Sequence, residues 1–229
     1  MLQLAYQRSY WYEVVNDSFR AACFAEFLGM MYFIVLGVGG AMTTLHAANP
    51  VLLEIAMSFG FSIMAIAQFI GPISGAHLNC AVTLALFIGG RISGIRCVYY
   101  IGHQLFGAFI GALFLLIIFG KDYNGKNQNF ASNEWNSQEF TGGEVFLAEM
   151  FGTAILIFNV FATIDHPIAG KRSTHHSNHH YYNYLLLYLL GGGVLGMFPI
   201  SMSVLVAHLY LIPIDGCSIN PTRYVCTIN

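Results

Sequence analysis

Ile73-Ser74-Gly75-Ala76-His77-Leu78-Asn79-Cys80-Ala81-Val82-Thr83 decides the reading of this chain, and Asp215-Gly216-Cys217-Ser218-Ile219-Asn220-Pro221-Thr222-Arg223 is its weaker echo. Each copy sets small residues before an asparagine and follows it with residues able to begin a short helix. Small residues let the backbone run extended with its carbonyls outward. The asparagine then caps the helix through its side-chain oxygen while its amide protons point the other way. If the two copies enter a bilayer from opposite sides, two helix N-termini meet near the midplane. Such a meeting point is electropositive, so it repels cations while neutral hydrogen-bonding molecules pass.

Composition places these stretches in lipid. Of 229 residues, 56% are hydrophobic, 15% aromatic and only 9% charged, and the mean hydropathy of +0.62 lies far outside ordinary soluble proteins. The net charge of −2 and the scattered basic residues give a nucleic-acid partner no electrostatic basis. Cys23, Cys80, Cys97, Cys217 and Cys226 are odd in number and lack framework spacing, so they read as reduced, apolar membrane residues.

Outward from the asparagine stretches lie five apolar runs. Residues 21–42 form the first, with Glu26 as its only charge; it is too long and starts too late for a cleavable signal. The next runs are residues 51–70, 97–119 and 145–164, and a fifth span is expected at roughly 190–210 within a longer apolar run that Gly191-Gly192-Gly193 and Pro199 could break or bend. Tyr181, Tyr182 and Tyr184 suit an aromatic belt at its interface. The piece from Asn79 to Gly89-Gly90, about ten residues, is too short to cross and suits a re-entrant half-helix.

Basic residues set the orientation. Arg8, Arg20, Arg91, Arg96, Lys171 and Arg172 fall on one side, against Lys121 and Lys126 on the other, which puts the N-terminus in the cytoplasm. Asn16-Asp17-Ser18 is a glycosylation sequon on the wrong side and is discounted.

Phe24-Ala25-Glu26-Phe27-Leu28-Gly29 resembles Leu147-Ala148-Glu149-Met150-Phe151-Gly152, and an asparagine stretch lies downstream of each. Three spans per half is an odd number, so the second half inserts upside down. The expected organisation is one transmembrane channel domain over residues 1–229, with a first repeat at about 21–119 and a second at about 144–229. About forty residues run from Asn79 to the end of the third span, but nine follow Asn220. The second repeat is therefore expected to be incomplete, without its sixth span.

These residues resemble the aquaporins, the major intrinsic protein family, from about Ala21 to Arg223. The anchors are Ser74 to Thr83, Asn220-Pro221-Thr222-Arg223 and the two Ala-Glu pairs. The resemblance implies an all-α membrane fold, an inverted repeat with two re-entrant half-helices, C-terminally truncated here. It departs from the family's Asn-Pro-Ala at Cys80 and Thr222. Proline suits the first helical position because its missing N–H would be unpaired anyway; cysteine there carries a modest cost, and the asparagine's role is expected to survive.

By motif matching, the family's aromatic and arginine constriction falls on Phe59, His208, Cys217 and Arg223. Histidine and arginine would offer donors on one wall, with phenylalanine opposite. Glycerol-conducting relatives carry a small residue at the histidine position and aspartate just after the arginine, where this chain has His208 and Tyr224. Water is thus expected over glycerol. The implied mechanism is single-file passage along the carbonyls of Gly75, Ala76, His77, Gly216, Cys217 and Ser218, which replace water's lost partners. Asn79 and Asn220 would donate to one central water. Cys217, as in mercury-sensitive relatives, would let a thiol-reactive metal plug the pore; otherwise it is a small filler.

Plainer readings stand beside these. The two asparagines suit ordinary helix caps in unrelated loops. Glu26 and Glu149, as intramembrane carboxylates, suit proton relays, although the family's matching glutamates brace the asparagine loops through backbone hydrogen bonds. Gln68 and Gln104 read as interhelical glue, and Gly107 and Gly111 as packing contacts. His175, His176, His179 and His180 share helical spacing suited to a metal, but a solvated loop with no carboxylate or cysteine group nearby explains them as well.

The leading expectation is a passive water channel in the plasma membrane, with no enzymatic chemistry and no cofactor or metal. Its partners are water, the lipid bilayer and further subunits, as a homotetramer or in association with related channels. The alternatives are a non-conducting subunit that joins and regulates complete relatives, and a channel for glycerol or another small neutral solute.

Overall fold

A computed structural model describes residues 13–45, 47–120, 131–165 and 194–227. Its first helix, α1, runs Asp17–Phe33, passes through a π turn at Ile34–Val38 and continues over Gly39–Leu45. The remaining helices are α2 (Leu52–Ser74), α3 (Cys80–Ile88), α4 (Gly94–Phe119), α5 (Gly142–Ile164), α6 (Val194–Asp215) and α7 (Pro221–Thr227). Five of them, α1, α2, α4, α5 and α6, are long and apolar enough to cross a membrane. α3, with nine residues, cannot cross, as its length in the sequence required.

Helix starts follow local chemistry. Ser93 caps α4 by accepting from the Arg96 N–H at 3.1 Å, and Thr141 and Glu144 form a reciprocal capping box at the start of α5. The Asn16 sequon residue is itself a cap: its side-chain oxygen accepts from the Ser18 N–H at 2.9 Å, which starts α1 four residues before the apolar run. Pro199 lies inside α6, where a break or bend was expected. Described α6 residues carry the helix from Val194 through both Pro199 and Pro213 to Asp215. A proline costs its helix one N–H bond, and close packing of α6 against α2 and α5 offsets that loss.

Glycines let α1 and α4 approach. A Cβ at Gly107 would sit 2.2 Å from the Phe27 carbonyl oxygen, and one at Gly111 would sit 2.8 Å from that of Met31. Backbone this close cannot yield to a side chain, so these two positions are contacts of the kind small residues make between membrane helices. Phe19, Ala22, Cys23 and Tyr100 close the neighbouring end of this interface as a separate apolar cluster.

The main core instead gathers around the two asparagine stretches. Leu78 and Ile219, the residues just before each asparagine, are both buried in it. The tyrosines of the expected belt, the four loop histidines, Lys121, Lys126, Lys171 and Arg172 lie outside the described residues.

Candidate functional site

Both asparagine stretches fold in the same way. Gly75, Ala76 and Leu78 have φ of 91°, 52° and 51°, while Gly216, Cys217 and Ile219 have 93°, 60° and 41°. Left-handed backbone therefore recurs four, three and one residues before each asparagine. Four of these six residues are not glycine, and such strain persists only where the surroundings over-determine it.

The surroundings that do so are the two intramembrane glutamates. Glu26 accepts from the His77 and Leu78 N–H groups at 2.9 Å each, from the Ser74 hydroxyl at 2.6 Å and from the Gln104 amide at 2.8 Å. Glu149 accepts from the Ser218 and Ile219 N–H groups, each at 2.6 Å. Each carboxylate thus takes the two N–H groups that immediately precede an asparagine, at matching positions in the two halves. Charge-assisted bonds to backbone N–H are among the stronger hydrogen bonds available.

The first brace is more elaborate than the second. Gln104 also reaches the Thr83 hydroxyl at 3.0 Å, so one amide links α1, α3 and α4. Thr83 in turn bonds the Asn79 carbonyl at 3.0 Å and the His77 ring at 3.1 Å. The Tyr100 hydroxyl donates to the Ser74 carbonyl at 2.9 Å. Ser74 belongs to the stretch that the sequence marks, but Tyr100 did not stand out, because tyrosine is common in membrane helices and no spacing marks it.

Between the braces the asparagines cross-link the halves. The Asn79 Nδ2 donates to the Ile219 carbonyl at 2.8 Å, and the Asn220 Nδ2 donates to the Leu78 carbonyl at 2.7 Å. Each Oδ1 caps its own half-helix: Asn79 accepts from Ala81 N–H at 2.8 Å, and Asn220 accepts from Thr222 and Arg223 N–H at 3.2 and 3.4 Å. An amide nitrogen carries two hydrogens, so one on each asparagine is committed to the opposite loop and one is left for another acceptor. Both side chains are 4% exposed. Among the described residues, no hydrogen bond ends on the carbonyls of Gly75, Ala76, His77, Gly216, Cys217 or Ser218.

Phe59, His208 and Arg223 also come together, though not as opposed walls. Phe59 and His208 stack with ring centroids 4.2 Å apart and planes 23° from parallel, and the Arg223 guanidinium lies over the Phe59 ring at 5.3 Å. Stacking and cation–π attraction draw the phenylalanine onto the two polar side chains that it was expected to face across a gap. Cys217 is fully buried, its N–H donated to the Asp215 carboxylate at 3.1 Å. A thiol-reactive metal would have to displace packed side chains to reach it, so the expected plug is not available in this conformation.

Two supports of this level were not visible in the sequence. The Ser58 hydroxyl donates to the Leu36 and Gly37 carbonyls at 3.1 and 3.0 Å, within the π turn of α1, and a Cβ at Gly37 would lie 3.0 Å from the Phe59 ring. The π turn thereby sets the next residue, Phe59, against α1; such turns recur at functional sites. Arg223 is held from the other side by the Asn133 side chain and the Ala131 carbonyl. Both belong to a polar loop whose composition gives no sign that it folds back over a half-helix.

Among the described residues, no group of three or more His, Cys, Asp or Glu side chains could hold a metal.

The family model for the major intrinsic proteins matches residues 13–227. Aquaporin-5 of Ovis aries is 37% identical over 212 residues, covering 92% of this chain and 70% of that protein. Aquaporin-2 of Homo sapiens is 34% identical over 212 residues, covering 93% and 69%. Among solved structures, the aquaglyceroporin from Plasmodium falciparum superposes with a TM-score of 0.74 at 19% identity, over 91% of this chain and 79% of that one, a likeness of fold. On the matched family model, the aquaporin relatives and the paired asparagine loops, this chain belongs to the major intrinsic protein family, as an integral multi-pass membrane protein of a family of channels for water or small solutes.

Proposed function

We propose that the chain is a passive channel for water in preference to glycerol, seated in the plasma membrane with its N-terminus in the cytoplasm and assembled as a homotetramer. The observation that carries the selectivity is the contact of Phe59 with both His208 and Arg223. A carbon-backed triol needs a wider opening beside these two aromatic rings and the guanidinium than a water molecule does, and water can exchange hydrogen bonds with the polar donors as it passes. At the centre, the uncommitted amide hydrogens of Asn79 and Asn220 would hold one water oxygen. That water's own hydrogens then point toward the unbonded carbonyls above and below, which offsets the cost of leaving bulk solvent. Arg223, beside Phe59 and His208, and the opposed N-termini of α3 and α7 at the centre disfavour cations.

Orientation rests on the basic residues. Arg91 pairs with Asp165 at 2.6 Å and Arg96 with Glu13 at 3.0 Å, which places the start of α1, the start of α4 and the end of α5 at one surface. The positive-inside preference makes that surface cytoplasmic.

The test is light scattering from vesicles carrying the purified chain, with protein-free vesicles as reference. A sucrose step should produce much faster shrinkage than lipid alone, and a glycerol step should produce re-swelling no faster than lipid alone. Unchanged shrinkage with protein verified in the bilayer overturns water conduction. Faster re-swelling in glycerol would move the assignment to a small-solute channel.

A further inference from the structure

The two halves differ at the residue after each asparagine, and again one residue later. Asn220 is followed by Pro221, which has no N–H; Asn79 is followed by Cys80, which has one. At the next position the imbalance reverses, with Ala81 carrying no polar side chain and Thr222 carrying a hydroxyl. One half therefore has a surplus donor at its helix start, where N–H groups have no partner within the helix. The opposite half has a surplus acceptor.

In the structure these meet: the Cys80 N–H donates to the Thr222 Oγ1 at 3.1 Å, across the junction between α3 and α7. Thr222 is fully buried, and its own N–H is bound to Asn220, which fixes the threonine relative to α7. The symmetric contact, from Pro221 to Ala81, has neither donor nor acceptor.

We infer that Thr222 is a positioning residue for the centre of the channel and that its hydroxyl is coupled to the N–H which Cys80 exposes. It makes the third bond between the loops, beside Asn79 with Ile219 and Asn220 with Leu78. Without it, a part-buried N–H at the first position of α3 would lose its protein partner, and among the described residues the two loops would keep their two asparagine ties. Pairing also removes that N–H as a competitor, leaving the asparagine amides as the donors of the central level. Proline at position 80 would abolish the need for the hydroxyl, so the residue tolerated at 222 depends on the residue at 80. Only the last consequence, for the central donors, rests on the water-channel reading; the coupling itself does not.

The full chain, purified in detergent, tests the coupling by thermal unfolding. Thr222→Val keeps the shape and removes the hydroxyl; it should lower the midpoint by on the order of 5 °C, while Thr222→Ser should stay near the parent. The same Thr222→Val change should cost as much in a Cys80→Ala background, which keeps the N–H, and almost nothing in a Cys80→Pro background, which lacks it. An equal loss in the proline background overturns the coupling. Should Cys80→Pro fail to fold, equal midpoints for Thr222→Val and Thr222→Ser would overturn it instead. Water permeability is measured separately on the parent vesicles, so failure to conduct and failure to couple are distinguishable results.

Discussion

Asn79 and Asn220 are bound to each other's loops rather than to each other: each amide donates to the carbonyl just before the opposite asparagine, at 2.8 and 2.7 Å. Each side chain thereby does two jobs, since its oxygen caps its own half-helix while its nitrogen ties the other. A cap alone would leave the loops free to drift, and a tie alone would leave two helix starts with unpaired N–H groups in an apolar core.

Substitutions at Asn79 separate those jobs. Asn79→Ala removes both and should cost about 2 kcal/mol of stability, a cap and a neutral hydrogen bond together. Asn79→Asp keeps an efficient cap but turns a donor into an anion facing the Ile219 carbonyl. If the tie matters, the aspartate variant unfolds in a thermal melt at least as early as the alanine variant, although aspartate is the better capping residue of the two.

The two glutamates should not be equivalent. Glu26 is fully buried and accepts four hydrogen bonds, whereas Glu149 is partly exposed and accepts from two backbone N–H groups beside the Asp215 carboxyl, with which it also shares a hydrogen bond. Glutamine at Glu26 places an NH2 among four donors, whereas at Glu149 that NH2 can turn to the Asp215 carboxyl. The loss should be about 3 kcal/mol or more at Glu26 and smaller at Glu149. Denaturation of Glu26→Gln and Glu149→Gln in parallel measures the ordering.

Glycines along α4 should respond with opposite signs. Alanine at Gly107 places a carbon 2.2 Å from a backbone oxygen of α1, so the helices must separate; at Gly102 nothing lies within 4 Å. Gly107→Ala should therefore unfold early or express poorly. Gly102→Ala, relieved of glycine's backbone entropy in mid-helix, should gain about 0.5–1 kcal/mol. Midpoints for both variants in one detergent decide the matter.

His208 closes one face of Phe59. His208→Gly opens that face and should leave water permeability of the same order while raising glycerol permeability several-fold over the parent. Vesicle re-swelling in glycerol measures it. Unchanged glycerol exclusion would mean that the limiting cross-section lies at another level of the channel.

Much of this molecule is legible in its sequence. The five spans, the half-helix after Asn79 and the pairing of Glu26 with Glu149 follow from apolar run length and from two short repeated patterns, because a bilayer imposes a minimum length on every crossing and leaves few ways to satisfy a polar group.

Tertiary structure decided whatever depends on distance between segments far apart in the chain. No pattern in the sequence could tell that Phe59 would lie on His208 rather than across from it, that residues 131 and 133 would fold back onto Arg223, or that the Cys80 N–H would find the Thr222 hydroxyl. Periodicity and run length act over one or two turns of backbone, whereas these contacts join elements whose separation is set by the packing of whole helices, and only that packing determines which polar groups are left close enough to pair.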